Sequence, residues 1–326
     1  MSNIYIFISF IFQLLMFVYF IQYKKWLICK SPISLVEKKV KKQKTFTSLG
    51  AIFGIFLILN LFLSDFINFQ ILIVLSILFI IGFLDDIINL SVFTKTFLLS
   101  LTSLLVGINT EYYSLELLVG KNIIILFAVV LFFYFINANN FLDGLDGYLS
   151  QHYLFFILYF FIILFNFHGT INIQFFFALT LPVIIFLYYN LKGVCMMGDC
   201  GSMLLGAIIF YLNMIIFKNQ YYIELLIINV YLFTEIPLTI LKRLFDGRII
   251  TSRDFDYSFL KLVIFNKKKH IYIFSKFFIY NISIVFALLI SLYLSKLLGV
   301  IISLSSTMFY LLFLNQKMES SKSRYS

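Results

Sequence analysis

Residues 123–150 read IIILFAVVLFFYFINANNFLDGLDGYLS, an uncharged apolar run that ends in three asparagines and two aspartates. Apolar stretches of about 18 or more residues are typical of helices that cross a hydrocarbon core of about 30 Å. Polar residues at the end of such a run lie at the membrane boundary. The stretch therefore predicts a membrane helix whose last residues form part of a polar site.

The whole composition agrees with a membrane protein. The chain has 326 residues, of which 62% are hydrophobic and only 12% are charged, whereas soluble domains carry roughly 25% charged residues. We predict an all-α integral membrane protein with about 10–11 transmembrane helices and a single polytopic domain, residues 1–326. The predicted spans lie near 3–22, 46–63, 70–84, 96–109, 122–136, 150–167, 173–189, 202–217, 221–241, 271–294 and 298–314.

The distribution of Lys and Arg predicts the orientation, because cytosolic loops carry an excess of both residues. The connections 23–45 and 242–270, the C-terminal tail, Lys95 and Lys192 fall on one side of the membrane. Only Lys121, Lys218 and Lys296 fall on the other side. We therefore expect the N-terminus outside and the C-terminus in the cytosol. The net charge of +10 then faces anionic headgroups, and we expect no nucleic-acid partner.

Five aspartates fall in three short segments at predicted cytosolic boundaries: GFLDDIINL (82–90), NFLDGLDG (140–147) and MGDCGS (197–202). Adjacent carboxylates repel each other unless a cation or proton intervenes. Asp143 and Asp146 are three positions apart, so in a helix they would share a face. Carboxylates with neutral oxygens suit Mg²⁺, whose remaining ligands are commonly substrate phosphates. The segments therefore predict a metal–phosphate site.

Cysteine and histidine do not suggest a different metal site. The three cysteines fall in or beside predicted cytosolic loops, where thiols stay reduced. The histidines His152, His168 and His270 are scattered along the chain, without the spacing of zinc ligands.

Together the three segments resemble the motifs of the polyprenyl-phosphate N-acetylhexosamine-1-phosphate transferase family, which includes phospho-N-acetylmuramoyl-pentapeptide transferase. That family carries an aspartate pair (here Asp85 and Asp86), an N-x-x-N-x-x-D-G-L-D-G loop (here 137–147) and an M-G-D-x-G-S loop (here 197–202). The resemblance covers roughly residues 45–260. It implies transfer of N-acetylhexosamine-1-phosphate from a UDP-sugar to undecaprenyl or another polyprenyl phosphate, with release of UMP.

The resemblance also implies roles for individual residues. Asp199 would bind Mg²⁺, with Mn²⁺ as an alternative, and Asp85 would orient or deprotonate the lipid phosphate. Asp86, Asp143 and Asp146 are expected in the catalytic site, where Asp86 would support the metal or phosphate. The expected substrate contacts are Asn140, Lys95 and Asn190. The implied setting is a bacterial inner membrane, a cytosolic active site and a pathway of cell-wall or other surface polysaccharide synthesis such as O-antigen.

The sequence departs from the family in its last cytosolic loop. Family members usually carry a histidine cluster there, but residues 243–262 contain none. Arg248 and Arg253 could replace it as diphosphate contacts, because guanidinium binds phosphate in a bidentate manner, or they could be ordinary positive-inside residues. The Glu235 side chain could form a contact between two helices, or it could be part of the site.

Two other functions stay open at this point. An inactive homologue that binds lipid or partner proteins would explain the missing histidines. A cation-coupled transporter would explain membrane acids, but it predicts carboxylates in the middle of spans. The sequence does not identify the amino sugar, the lipid length or the oligomeric state, and a homodimer is left open.

Overall fold

A computed structural model describes residues 2–23, 29–30, 45–46, 48–109, 121–168, 172–247, 257–266 and 269–322. The described chain is helical apart from one antiparallel pair of two-residue strands, β1 (Cys29–Lys30) and β2 (Thr45–Phe46). The helices are α1 (Ser2–Tyr23), α2 (Ser48–Leu63), α3 (Phe69–Ile88), α4 (Val92–Asn109), α5 (Lys121–Leu142), α6 (Tyr148–His168), α7 (Ile173–Leu191), α8 (Gly198–Lys218), α9 (Tyr222–Phe245), α10 (Ser258–Asn266), α11 (His270–Tyr293) and α12 (Lys296–Lys322).

These helices confirm the multi-pass membrane architecture. Among the described residues, nine helices are long and apolar enough to cross a bilayer, and two shorter apolar helices cover Leu49–Leu63 and Val92–Gly107. The two shorter helices coincide with the second and fourth predicted spans. The short helix α10 was not predicted, because its nine residues lie in what the sequence suggested was a loop.

Helix α8 lies at the centre of the bundle. It packs against α2, α3, α5, α6 and α9, and it is the most buried of the candidate spans in the described part of the chain. Two glycines allow its closest contacts. A Cβ on Gly82 of α3 would lie 2.5 Å from Cys200 Cα, and a Cβ on Gly206 of α8 would lie 2.7 Å from Phe135 O of α5. Small residues at helix crossings let backbones approach closely in membranes.

These crossings bring the polar segments together. Helices α3 and α5 end where α8 begins, so their last turns surround the first turn of α8. The N-terminus of α4, the C-terminus of α7 and the N-terminus of α11 contribute further residues that contact this region. We call this end of the bundle the polar end.

Candidate active site

Lys95 joins two of the three acidic segments. Its Nζ lies 3.1 Å from Asp85 Oδ2 and also forms an ion pair with Asp199 Oδ2. Asp85 is only 1% exposed, whereas Asp199 and Lys95 keep about a fifth of their side-chain surface exposed. Residues from α3, α4 and α8 thus converge on one cationic group, whereas the roles predicted for Asp85, Asp199 and Lys95 toward metal and phosphate stay predictions.

Asp86 and Asp143 bind the N-terminus of α8. Asp86 accepts hydrogen bonds from the backbone N–H groups of Asp199 and Cys200, both at 3.2 Å. Asp143 Oδ2 accepts from the N–H of Gly198 at 3.1 Å. Carboxylates stabilise a helix N-terminus because its first N–H groups have no partners within the helix and carry partial positive charge. These contacts position Asp199, and direct participation of Asp86 and Asp143 in catalysis stays a prediction.

The expectation that Asp143 and Asp146 share a helix face is wrong. Helix α5 ends at Leu142, and residues 143–147 form turns before α6 begins at Tyr148. Because the turn breaks the helical spacing, the two carboxylates have different partners. Asp143 contacts α8, whereas Asp146 contacts His270 at the start of α11. The two carboxylates therefore have different partners, although both lie near the Cys195 thiol.

Asn190 connects two loops of the polar end. Its side-chain oxygen accepts a hydrogen bond from the N–H of Gly147, and its Nδ2 donates to Cys195 O at 2.7 Å. The residue is buried, with 4% exposure. Asn190 thus holds the 143–147 turns against the 192–197 loop, which makes it a structural tie in addition to its predicted substrate contact.

His270 is a candidate site residue that the sequence analysis did not predict. Its Nδ1 lies 2.6 Å from Asp146 Oδ2, although the two residues are far apart in sequence. The resemblance predicts a histidine cluster within residues 243–262, and His270 lies beyond that stretch. No spacing pattern in the sequence connects it to Asp146.

The remaining predicted residues have the following positions. Ser202 Oγ lies 2.8 Å from both Asn140 Oδ1 and Gly198 O, so Asn140 contacts the first turns of α8. Arg248 and Arg253 lie outside the described residues.

Glu235 accepts hydrogen bonds from the backbone nitrogen of Ser258 at 2.8 Å and from the Ser258 hydroxyl at 3.4 Å. That contact caps α10 and supports the helix–helix reading of Glu235.

The loop between α7 and α8 carries a thiol that is held in its neutral form. Burial raises the pKa of Cys195 well above its usual value, and the nearby charges of Asp143 and Asp146 raise it further. The thiol is fully buried. Since a thiolate is the nucleophilic and metal-binding form of cysteine, Cys195 is a packing residue between the two acids.

The donor set fits a hard cation bound together with substrate phosphates. Within the described ranges, no three Asp, Glu, His or Cys side chains are arranged to hold a metal ion by themselves. Asp85 and Asp199 both contact the Lys95 ammonium, so both carboxylates lie near the same cationic group. Mg²⁺ is commonly held by one or two carboxylates plus phosphates and water. Two carboxylates without sulfur or imidazole match that pattern.

Comparison with known proteins relates part of the chain to one family. The sequence model of glycosyl transferase family 4 matches residues 68–217. The match covers a little under half of the chain, and over this segment the sequence is similar to glycosyl transferase family 4. The segment contains the aspartate pair, Lys95, the 137–147 loop and Asp199, and it ends before Arg248, Arg253 and His270. No curated protein matches the chain. Together with the membrane helices, the match supports a membrane glycosyl-1-phosphate transferase in general terms.

Proposed function

We propose that the protein transfers N-acetylhexosamine-1-phosphate from a UDP-sugar to undecaprenyl or another polyprenyl phosphate. The observation that carries the proposal is the convergence of the three acidic segments at the polar end. Lys95 contacts Asp85 and Asp199, while Asp86 and Asp143 bind the first turn of α8. Phosphoryl transfer depends on charge neutralisation and in-line positioning rather than on covalent catalysis by the protein. The cluster of carboxylates and one lysine supports the proposal because such groups can hold a divalent cation and phosphates close together.

In the proposed reaction, an oxygen of the lipid phosphate attacks the sugar-side phosphorus of the UDP-sugar. A new P–O bond forms to the lipid phosphate, the bond to the uridylate oxygen breaks, and UMP leaves with that electron pair. Asp85 orients the attacking phosphate, and Lys95 offsets the charge that several phosphates bring together. A bound Mg²⁺ on Asp199 and Asp85 would neutralise the diphosphate. The tie between Asp143, Asp86 and α8 fixes Asp199 in place.

Exposed side chains suggest which substrate meets which part of the polar end. The turn between α3 and α4 beside Asp85 and Lys95 exposes Ile88, Val92 and Phe93, the last at 81%. Apolar residues at this position favour the lipid acceptor. On the other side, the exposed Lys192 and Lys269 flank the region of Asp146, which favours the anionic nucleotide sugar.

We further propose that the polar end faces the cytosol, with the N-terminus outside. Lys95, Lys192 and Lys269 lie at this end, and positive residues accumulate on the cytosolic side of membrane proteins. The cytosol also supplies nucleotide sugars. The protein would then act in a bacterial inner membrane, at the first membrane step of cell-surface glycan synthesis such as cell-wall polymer or O-antigen.

The direct test uses purified protein, undecaprenyl phosphate, Mg²⁺ and a panel of UDP-N-acetylhexosamines, with UMP and lipid-linked product measured together. We expect both products in equal amounts from at least one sugar, and we expect EDTA to stop turnover until Mg²⁺ or Mn²⁺ is restored. Asp199→Asn should abolish turnover without loss of folding. Asp65→Asn, which removes an exposed charge at the opposite end of α3, is the matched control.

Three results would contradict the proposal. The first is the absence of UMP with every sugar in the panel, which would favour an inactive homologue. The second is turnover that persists in EDTA. The third is full activity of Asp199→Asn, which would remove the reason to place a metal between the diphosphate and this carboxylate.

A further inference from the structure

His270 begins α11 and is the only histidine among the described side chains that contacts an acidic residue of the 143–147 turns. Its Nδ1 lies 2.6 Å from Asp146 Oδ2 and 3.3 Å from the Asp146 backbone nitrogen. One ring nitrogen cannot donate to the first and accept from the second at once. An unprotonated Nδ1 at 2.6 Å would face the carboxylate with a lone pair, so we assign the proton to Nδ1, which donates to Asp146.

Helix α11 holds the turns at two points. Besides the contact between His270 and Asp146, the ring of Phe274 lies one turn further along α11 and packs close to Gly147, where a Cβ would come within 2.9 Å of it. Gly147 is in turn bound by Asn190. Packing therefore fixes the backbone of Asp146, and the contact with His270 orients the Asp146 carboxylate.

The contact between Asp146 and His270 is partly exposed beside the 192–197 loop. Asp146 and His270 each keep 17% of their side-chain surface exposed. A Cβ on Gly193 would lie 3.9 Å from Asp146 Oδ2, so this carboxylate borders the 192–197 loop that leads into Asp199. A purely structural contact between two partly exposed polar side chains adds little stability, because solvent weakens such interactions.

We propose that His270 is a positioning residue that directs the Asp146 carboxylate toward the nucleotide sugar. The inference rests on the proposed function, since it assigns the nucleotide-sugar side of that same site. His270 lies outside the segment that matches the family. It provides this chain with a histidine at the polar end although the 243–262 stretch has none. Asp146 then binds a hydroxyl or N–H donor of the UDP-sugar.

Two amide substitutions separate the roles of the ring nitrogens. The amide N–H of His270→Asn falls near the position of Nδ1, whereas that of His270→Gln falls near the position of Nε2. If His270 acts through Asp146, His270→Ala should raise the KM for the UDP-sugar about tenfold and leave the KM for the lipid phosphate unchanged. His270→Asn should recover most of this loss, and His270→Gln should not.

A double substitution tests the dependence on Asp146. Because His270 is expected to work only through that carboxylate, His270→Ala combined with Asp146→Asn should be no worse than Asp146→Asn alone. Binding of UDP-N-acetylglucosamine, measured by calorimetry, provides a second readout that does not require turnover. We expect His270→Ala to weaken binding by about the same factor as it raises the KM.

The outcomes distinguish this inference from the transfer reaction itself. Wild-type binding of UDP-N-acetylglucosamine without UMP release would contradict the transfer proposal. The role of His270 would then still be tested by comparing the binding affinities of the wild type and His270→Ala. Equal binding by wild type and His270→Ala, additive losses in the double variant, or rescue by Gln rather than Asn would each overturn the role of His270. Absence of binding in the wild type would overturn both.

Discussion

The exchange of Gly198 for alanine tests how tightly the first turn of α8 is fitted to its acidic partners. Gly198 has φ +67, and a Cβ there would lie 2.5 Å from Asp86 Oδ2 and 3.0 Å from its Oδ1. The left-handed backbone costs a non-glycine residue about 1–2 kcal/mol. The added methyl group must also displace a carboxylate that is 5% exposed.

The displacement has a larger cost than the backbone strain. Asp86 accepts two backbone hydrogen bonds from α8, and a hydrogen bond to a charged group contributes about 1.5–3 kcal/mol. Loss of both gives about 3–6 kcal/mol. Gly247 is the matched control, because it has φ +65 and nothing within 4 Å of its would-be Cβ. Gly247→Ala should lower the free energy of unfolding only by the backbone strain of about 1–2 kcal/mol.

Equilibrium unfolding in mixed micelles and UMP release together measure the difference. We expect Gly198→Ala to be less stable than Gly247→Ala by about 3 kcal/mol or more. Its turnover should fall at least about 100-fold, because misplacement of a catalytic group by 1 Å can have that effect. Equal destabilisation of the two variants, or wild-type turnover in Gly198→Ala, would refute the fitted contact between Asp86 and α8.

Three further predictions concern the polar end. Lys95→Met leaves Asp85 and Asp199 without their shared cation, so the free energy of unfolding should fall by about 1–3 kcal/mol, between the values for exposed and buried ion pairs. Mn²⁺ should restore part of the loss, and a loss that Mn²⁺ does not change would contradict the shared cation site. Asn190→Ala leaves a buried N–H and a buried carbonyl unpaired at a cost of about 1–3 kcal/mol each, and full retention of stability would argue against the tie. Cys195 should resist N-ethylmaleimide at pH 7 until dodecyl sulfate unfolds the protein, since burial keeps the thiol neutral; peptide mapping that finds rapid native labelling would disprove the buried position.

The membrane helices and the convergence of the acidic segments follow from local sequence. Lipid requires long uncharged helices whose backbone groups are satisfied internally, so apolar runs directly mark the spans. Short connections then force consecutive helices to alternate in direction. That alternation alone places the ends of α3 and α5 beside the start of α8, which is why Asp85, Asn140 and Asp199 could be assigned to one end of the bundle.

The partners of individual side chains depend on features that local patterns do not encode. The 143–147 segment looked helical by spacing, but α5 stops at Leu142 and the turn separates Asp143 from Asp146. The contact between Asp146 and His270 depends on how α11 packs against distant helices. The role of Asp86 at the N-terminus of α8 depends on the close crossing at Gly82, which is a property of the assembled bundle.

The central claim is that Asp85 and Asp199, from separate helices, bind one divalent cation. Electron paramagnetic resonance can count Mn²⁺ bound to purified protein in the presence of UMP. We expect one Mn²⁺ in the wild type, none in Asp199→Asn and weakened binding in Asp85→Asn. Glu224→Gln should bind as the wild type does, because Glu224 is a buried carboxylate at the N-terminal end of α9, away from the polar end, where it accepts from Ser291. Equal Mn²⁺ binding by all four proteins, or none by the wild type, would contradict the claim.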